Sequence, residues 1–327
     1  MTLATGADRA VIEAALAAVR DCVPATLALV VDTSGSTYVR RGAIALFAAD
    51  SLQVGWLSGG CLEAEIARRA DHAAANACIE WMEIDTRDDE DLFAGSAVGC
   101  RGRLRLVLLP LLAMPGWQAL ADAWISAAGP MEFSVAGSGA VSCRIADREA
   151  NWALRSTFAG WREDESGIAS WIVELPAPPT VLIFGAGPET ALLFPLLRAI
   201  GWRTSVVESR PRWATNAGLA DHSLTARPEP ALAMIQAHSF NAALVMQHNF
   251  ELDREALEAL TPESIPFIGL LGPTRRRDDL FKLLSATSRE ALESRLRAPV
   301  GLDLGGHGPE AIALSIAAQL QAFMHRH

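Results

Sequence analysis

The sequence predicts an α/β protein of two domains: an α+β N-terminal domain with a mixed sheet, then a C-terminal domain built on a doubly wound parallel sheet. Three observations lead there. The cluster Pro176-Ala177-Pro178-Pro179 stops any helix or central strand and reads as a stiff linker. Before it, apolar strand-like runs are joined by polar and glycine turns. After it, the run Thr180–Phe184 feeds directly into Gly185-Ala186-Gly187, and apolar runs then alternate with helical patterns, as in βαβ units. The domains are therefore residues 1–175, a linker at 176–179, and residues 180–327.

In the N-terminal domain, Asp8 starts an amphipathic helix running to about Cys22, and Ala25–Val31 reads as a continuous apolar strand. Asp32 to Gly42 is rich in turn formers and reads as a loop. Ala43–Ala48 and Leu52–Leu57 follow as strands, turning at Asp50-Ser51. They deliver the chain to Ser58-Gly59-Gly60-Cys61-Leu62-Glu63, and a helix runs from there to Ala77. The glycines permit a sharp turn and a close approach. Cys61 then lies in the first turn of a helix, where the backbone dipole favours thiolate, opposed by Glu63 and Glu65. A buried structural cysteine is the competing reading.

Cys78–Ile84 reads as a strand that ends in the acidic stretch Asp85–Asp91. Gly99-Cys100-Arg101-Gly102 repeats the glycine-flanked cysteine and leads into the strand Leu104–Leu109. Alternation places Arg101, Arg103 and Arg105 on one solvent face. A helix follows at Trp117–Ala127, then a hairpin over Met131–Ile145 turning near Gly137-Ser138-Gly139. The region from Asn151 to Gly167 carries little pattern, and Ser170–Leu175 is the last strand of the domain.

The C-terminal domain opens with strand, glycine turn and the helix Glu189–Ile200, followed by the strand Thr204–Val207 and Glu208. This is the Rossmann-like arrangement, in which the turn at Gly185 and Gly187 meets a pyrophosphate and the acid meets ribose hydroxyls. NAD(P) is a candidate ligand of this arrangement, with Arg210 leaving NAD against NADP open and neither remaining a third alternative. Ala242–Met246 leads to Gln247-His248-Asn249, and Phe267–Leu271 leads to Gly272-Pro273 and the cations Arg275, Arg276 and Arg277. Both loops fall at the carboxyl ends of strands, where such domains bind ligands. Three cations at a helix start oppose its dipole unless an anion compensates.

Half of the 327 residues are hydrophobic, yet no stretch is apolar for long enough to span a bilayer. The first residues lack a secretion signal, so a cytoplasmic protein is expected. Five widely spaced cysteines without a C-x-x-C argue against a disulfide framework or zinc site. A net charge of −10, with Lys282 as the single lysine, argues against a nucleic-acid partner.

Taken together, the motifs resemble the XdhC/CoxI family. The N-terminal ones are Gly35-Ser36-Thr37, Arg41-Gly42-Ala43, Ser58–Glu63, Asp91 and Gly99–Gly102. The C-terminal ones are Phe184–Gly187, Glu208–Pro211, His248, Asp253, Ile268–Gly272, Arg275–Arg277 and Pro299–Asp303. The chain departs from the family's pattern at Pro188, Gln247, Ala311 and Gln319. The resemblance implies a chaperone rather than an enzyme: a protein that binds the molybdenum cofactor (molybdopterin or its dinucleotide form), protects it, and assists its sulfuration and insertion. The implied partners are a xanthine dehydrogenase or aldehyde oxidase-type molybdoenzyme, a cysteine desulfurase, and a second copy in a homodimer.

On that reading, Cys61 is the principal cofactor-facing thiol with Cys100 beside or opposite it. A soft thiolate suits molybdenum, the N–H groups around Gly59 and Gly60 suit the pterin, and Arg101, Arg275 and Arg276 suit anionic groups. Gly185, Gly187, Glu208 and His248 complete the expected set. Two alternatives differ in kind. One is an NAD(P)-dependent oxidoreductase using Glu208 and His248. The other is a redox sensor in which Cys61 and Cys100 pair, which requires Cα atoms within about 7 Å.

Overall fold

The computed structural model describes residues 7–60, 62–85, 101–161, 170–235 and 239–325. The chain forms two compact units, Met1–Pro178 and Pro179–His327. Among the described residues, no helix is long and apolar enough to cross a membrane.

The N-terminal unit begins with α1 (Asp8–Arg20), which presents Val11, Ile12, Ala15, Leu16 and Val19 at helical spacing to the core. Its central strand is β1 (Ala25–Gly35), followed in the chain by β2 (Ile44–Ala48) and β3 (Leu52–Val54). Next come α2 (Glu63–Asn76), β4 (Cys78–Asp85), β5 (Gly102–Pro110) and α3 (Trp117–Ile125). A second layer holds β6 (Met131–Ala136), β7 (Ala140–Ile145), β8 (Arg148–Ala153) and β10 (Ser170–Leu175), while the two-residue β9 (Arg155–Ser156) returns to the first sheet. The first sheet runs β3-β2-β1-β5-β4-β9, antiparallel except for the β4–β9 pair. The second runs β10-β6-β7-β8.

β1 is buried on both faces, which explains its unbroken apolar reading. Leu27, Leu29 and Val31 join a core with α1, α3 and the second sheet, while Ala28 and Val30 face a smaller core under α2. β1 does not end at Val31 as the sequence suggests. A bulge between Val30 and Asp32 lets it continue to Gly35, paired with Gly102–Arg105 of β5. β8 falls in the weakly patterned region because it edges the second sheet and is largely exposed.

The arginines of β5 do not form a solvent face. Arg105 is buried, and its register partners across the sheet are Asp32 and Glu83. Its Nε donates to Glu83 Oε2 at 2.7 Å, its Nη1 reaches Asp32 Oδ2 at 3.4 Å, and its guanidinium lies 5.0 Å from the Trp161 ring centroid. Alternation places a side chain on a face, but the neighbouring strands decide whether that face is wet.

The C-terminal unit contains β11 (Thr180–Phe184), α4 (Thr190–Ala199), β12 (Arg203–Val207), α5 (Ala214–Ala217), β13 (His222–Leu224) and α6 (Pro228–Met234). It continues with β14 (Ala242–Val245), α7 (Phe250–Leu260), β15 (Ile268–Leu270), α8 (Thr274–Leu283), α9 (Ala286–Glu293), β16 (Leu296–Arg297) and α10 (Pro309–Met324). The sheet is parallel in the order β13-β12-β11-β14-β15-β16, the doubly wound arrangement whose switch point lies between β11 and β14. α4 and α10 cover one face, and α6 through α9 the other.

One buried hydroxyl fastens α2 to the sheet. Thr26 on β1 is fully buried and donates from Oγ1 to the Ala70 carbonyl at 2.7 Å. Thr26→Val keeps the shape but leaves that carbonyl without its side-chain donor. It is expected to destabilise the N-terminal unit by about 1 kcal/mol, read as a lower urea midpoint for the variant than for wild type.

Candidate functional site

At one end of the first sheet, three segments meet. The β1–β2 loop contributes Ser36 and Tyr38, the start of β5 contributes Arg101 and Gly102, and the turn before α2 contributes Ser58–Gly60. Ser36 N donates to the Arg101 carbonyl at 3.0 Å. A Cβ on Gly102 would lie 2.5 Å from the Ser36 carbonyl oxygen, so only glycine fits there. Gly59, at φ +71°, packs against the Tyr38 ring, where an added Cβ would lie 3.2 Å from Cε2. Cys61 and Cys100, with Gly99 and Asp91, lie outside the described residues. Gly59 and Arg101, close to them in sequence, both contact the β1–β2 loop. Tyr38 and Trp56 are exposed beside the turn, at 59% and 47% of their full surface.

The turn is organised by a residue whose role the motif alone does not reveal. Glu63, the first residue of α2, is buried, and its carboxylate turns back into the preceding loop. Oε1 accepts from Leu57 N at 3.2 Å and Ser58 N at 2.9 Å, and Oε2 accepts from Gly60 N at 2.9 Å and from Ser58 Oγ. Ser58 Oγ in turn accepts from Leu62 N at 3.0 Å. The N–H groups of Leu57, Ser58 and Gly60 therefore face an internal anion. The buried carboxylate needed donors more than the turn needed a guest. Burial pushes the Glu63 carboxyl up, but the hydrogen bonds from Ser58 and Leu57 outweigh it and hold the group below its ordinary 4.5.

In the C-terminal unit, the switch point is closed by its own side chains. Gly185, at φ +102°, has no room for a Cβ, which would fall 2.7 Å from Gln247 Cα and the Met246 carbonyl oxygen. Its glycine is required by the end of β14 itself. Over Gly187 lie Glu189 Oε2 and His248, placed 2.9 and 3.0 Å from where a Cβ would be. Glu189 is buried and pairs with His248 Nε2 at 3.1 Å, and His248 holds a left-handed φ of +52°.

Glu208 is also engaged. Oε2 accepts from Ala186 N at 2.9 Å and Arg210 Nη2 at 2.7 Å, and Oε1 accepts from Arg210 N and Nε, both at 2.8 Å. Arg210 Nη1 reaches the Gln247 carbonyl at 2.5 Å. Gln247 N donates to Asp253 Oδ1 at 3.1 Å, and Asp253 Oδ2 accepts from Arg276 at 2.5 Å. The lattice thus joins the ends of β11, β12 and β14 to α8. An internal carboxylate sits where a dinucleotide would place its pyrophosphate, and the acid expected at the ribose is satisfied within the fold. The residues do not offer NAD(P) its usual partners.

The three arginines diverge. Arg276 folds back onto Asp253, Arg277 pairs with Asp278 at 2.7 Å, and Arg275 is 92% exposed with Asp279 3.9 Å away. Aspartates of α8 and α7 supply the anions that three cations at a helix start require. Elsewhere in the unit, Val300, Leu302 and Asp303 of the Pro299–Asp303 motif line a cavity of about 310 Å³ beside Gly272 and Gly305. At its edge Gly301 N donates to Gln319 Oε1 at 2.7 Å, so the amide at position 319 serves as an acceptor.

Glu63→Gln is expected to lower stability by about 2 kcal/mol at neutral pH, because an amide cannot accept at both ends. The folded carboxylate titrates below 4.5, so its contribution is complete above that pH and lost as pH falls through the folded value. The gap between wild-type and variant urea midpoints should therefore narrow on acidification. His248 is held above its ordinary 6.5, first by its hydrogen bond to Glu189. Its contribution is present below 6.5 and lost as pH rises through the folded value. Glu189→Gln should bring the His248 imidazole back toward 6.5 in an NMR titration.

The family pattern described as XdhC and CoxI matches residues 15–80, and that of the XdhC Rossmann domain matches residues 181–320. The chain is 27% identical over 317 residues to a probable xanthine dehydrogenase subunit from Bacillus subtilis, covering 93% of this chain and 94% of that protein. It is 36% identical over 103 residues to the uncharacterized protein YqeB of Escherichia coli, covering 28% of this chain and 19% of that one. The crystal structure of a xanthine dehydrogenase from Bacillus halodurans aligns over 96% of this chain and 95% of that chain, with 26% identity and a TM-score of 0.76. With family patterns matched in both units and a relative aligned along nearly the whole length, the chain belongs to the XdhC and CoxI family.

Proposed function

We propose that the chain is an accessory protein that binds the molybdenum cofactor and delivers it to a xanthine dehydrogenase-type molybdoenzyme. The observation that carries this reading is the meeting of three segments at one end of the N-terminal sheet. The turn leading to Cys61, the β1–β2 loop and the strand start after Cys100 are brought together by Ser36–Arg101 and Tyr38–Gly59 contacts. The likeness to a probable xanthine dehydrogenase subunit supports the choice of partner.

The cofactor's implied groups fit this end of the sheet through side chains, not through the backbone of the turn. Tyr38 and Trp56 offer exposed rings for stacking on a planar pterin, and exposed Arg40 and Arg101 offer charge for its phosphate. Cys61 and Cys100 would supply soft sulfur donors. When bound, the cofactor supplies the molybdenum centre destined for the client enzyme. Glu63 serves as a positioning residue: by gathering the N–H groups of the turn it holds Gly60, and with it the approach to Cys61, in one conformation. Oxygen-for-sulfur exchange with a cysteine desulfurase as donor, and a homodimer, belong to the same reading. The oxidoreductase alternative is disfavoured by the engagement of Glu208 with Arg210 and of His248 with Glu189.

Cofactor released anaerobically from a molybdoenzyme and mixed with the purified protein is expected to be captured near one equivalent. Bound pterin would be counted by fluorescence after oxidation. Cys61→Ser should cut capture at least tenfold, and Glu63→Gln should reduce it less. Equal capture by wild type and Cys61→Ser would remove Cys61 from the site. No capture by either, together with tight NAD(P) binding, would favour the oxidoreductase.

A further inference from the structure

The far end of α2 holds a second cluster of reactive side chains. His72 lies on α2, about 14 Å along the helix axis from Glu63. It faces Cys78 and Glu80, which are two residues apart on β4 and therefore point to the same side of the sheet. The ligand atoms of all three lie within 4.8 Å of one another, and His72 Nδ1 is 2.6 Å from Glu80 Oε1. The left-handed turn at Ala77, φ +48°, brings strand directly back under helix. That turn is braced: Asn76 Nδ2 donates to the His72 carbonyl at 2.9 Å, and Arg155 of the adjacent β9 donates to the Asn76 carbonyl at 2.5 Å.

We propose that His72, Cys78 and Glu80 bind one zinc-class divalent cation, at a site distinct from the glycine turn. Nitrogen, sulfur and carboxylate oxygen are the donor set that zinc takes, and a three-residue set leaves a fourth position for water. Tetrahedral coordination places such donor atoms about 3.3–3.7 Å apart, so small side-chain rotations suffice. Thiolate and carboxylate together carry the two negative charges that a dication needs.

The surroundings of Cys78 set it apart from a packing cysteine. Cys143 in the same unit is enclosed by the apolar core. Cys78 is also hidden from solvent but belongs to neither apolar cluster of the unit, and its neighbours are an imidazole and a carboxylate. Glu80 and Cys78 are buried, while the His72 side chain is 57% exposed. A cation would thus have two fixed ligands in the sheet, one on the helix, and an open approach from solvent.

The test uses metal-free full-length protein titrated with cobalt(II), with zinc competition against a chromophoric chelator. One equivalent of cobalt should give a thiolate-to-metal charge-transfer band that zinc abolishes. Cys78→Ser should remove the band, while the double variant Cys61→Ser/Cys100→Ser should retain it. His72→Ala, at an exposed helix position that leaves the core intact, and Glu80→Gln should each weaken zinc binding roughly 10–100-fold. A band that survives Cys78→Ser, or that disappears with Cys61 and Cys100, would overturn the assignment. Unchanged zinc affinity in both His72→Ala and Glu80→Gln would do the same.

Discussion

A buried carboxylate must find donors, and Glu63 finds them in the backbone of the turn that precedes its own helix. The rest of the N-terminal site depends on that demand. Because three N–H groups converge on one side chain, Leu57 to Gly60 is held in one conformation, and Tyr38 has a glycine surface to pack on. The same demand limits the chemistry, since N–H groups satisfied inside the fold are withdrawn from recognition. Side-chain rings, guanidinium groups and sulfur remain as the means of holding a guest.

The C-terminal unit follows the same rule at a different place. A doubly wound sheet opens a crevice where strand order reverses, and polar groups facing that crevice need partners. Here the partners are internal. Glu208, Arg210, Gln247, Asp253 and Arg276 form one connected lattice, with Glu189 and His248 closed over Gly187. A fold associated with dinucleotides is in this chain a crevice lined by satisfied charges, so its strand order describes how it is built more than what it holds.

The helix α2 connects two kinds of chemistry within the N-terminal unit. Its first residue shapes the turn that leads to Cys61, and its penultimate turn carries His72 toward Cys78 and Glu80. Thr26 and the small residues Ala70 and Ala73 seat the helix closely on β1, which gives both ends a rigid frame. Rigid support on helix and strand is what precise side-chain placement requires.

By itself, the sequence determined the alternation of elements. Continuous apolar runs marked β1, β11 and β14 because strands buried on both faces need no polar side, and glycine with proline marked the turns between them. It also marked the short motifs, since residues such as Ser58–Glu63 and Gly185–Gly187 are adjacent in the chain. Tertiary structure alone decided what the charged residues do. Arg105 became buried because Asp32 and Glu83 arrive on neighbouring strands, and Arg276 left its cluster because Asp253 lies on a different helix. Glu63 could be named from its motif, but its conversion from a helix-start acid to the anchor of a loop depended on where that loop folds. The gathering of His72, Cys78 and Glu80 depended on the αL reversal at Ala77. Local patterns follow from backbone geometry over a few residues. The partner of a charge is whichever group the fold brings within about 3 Å, and that is set by the packing of whole elements.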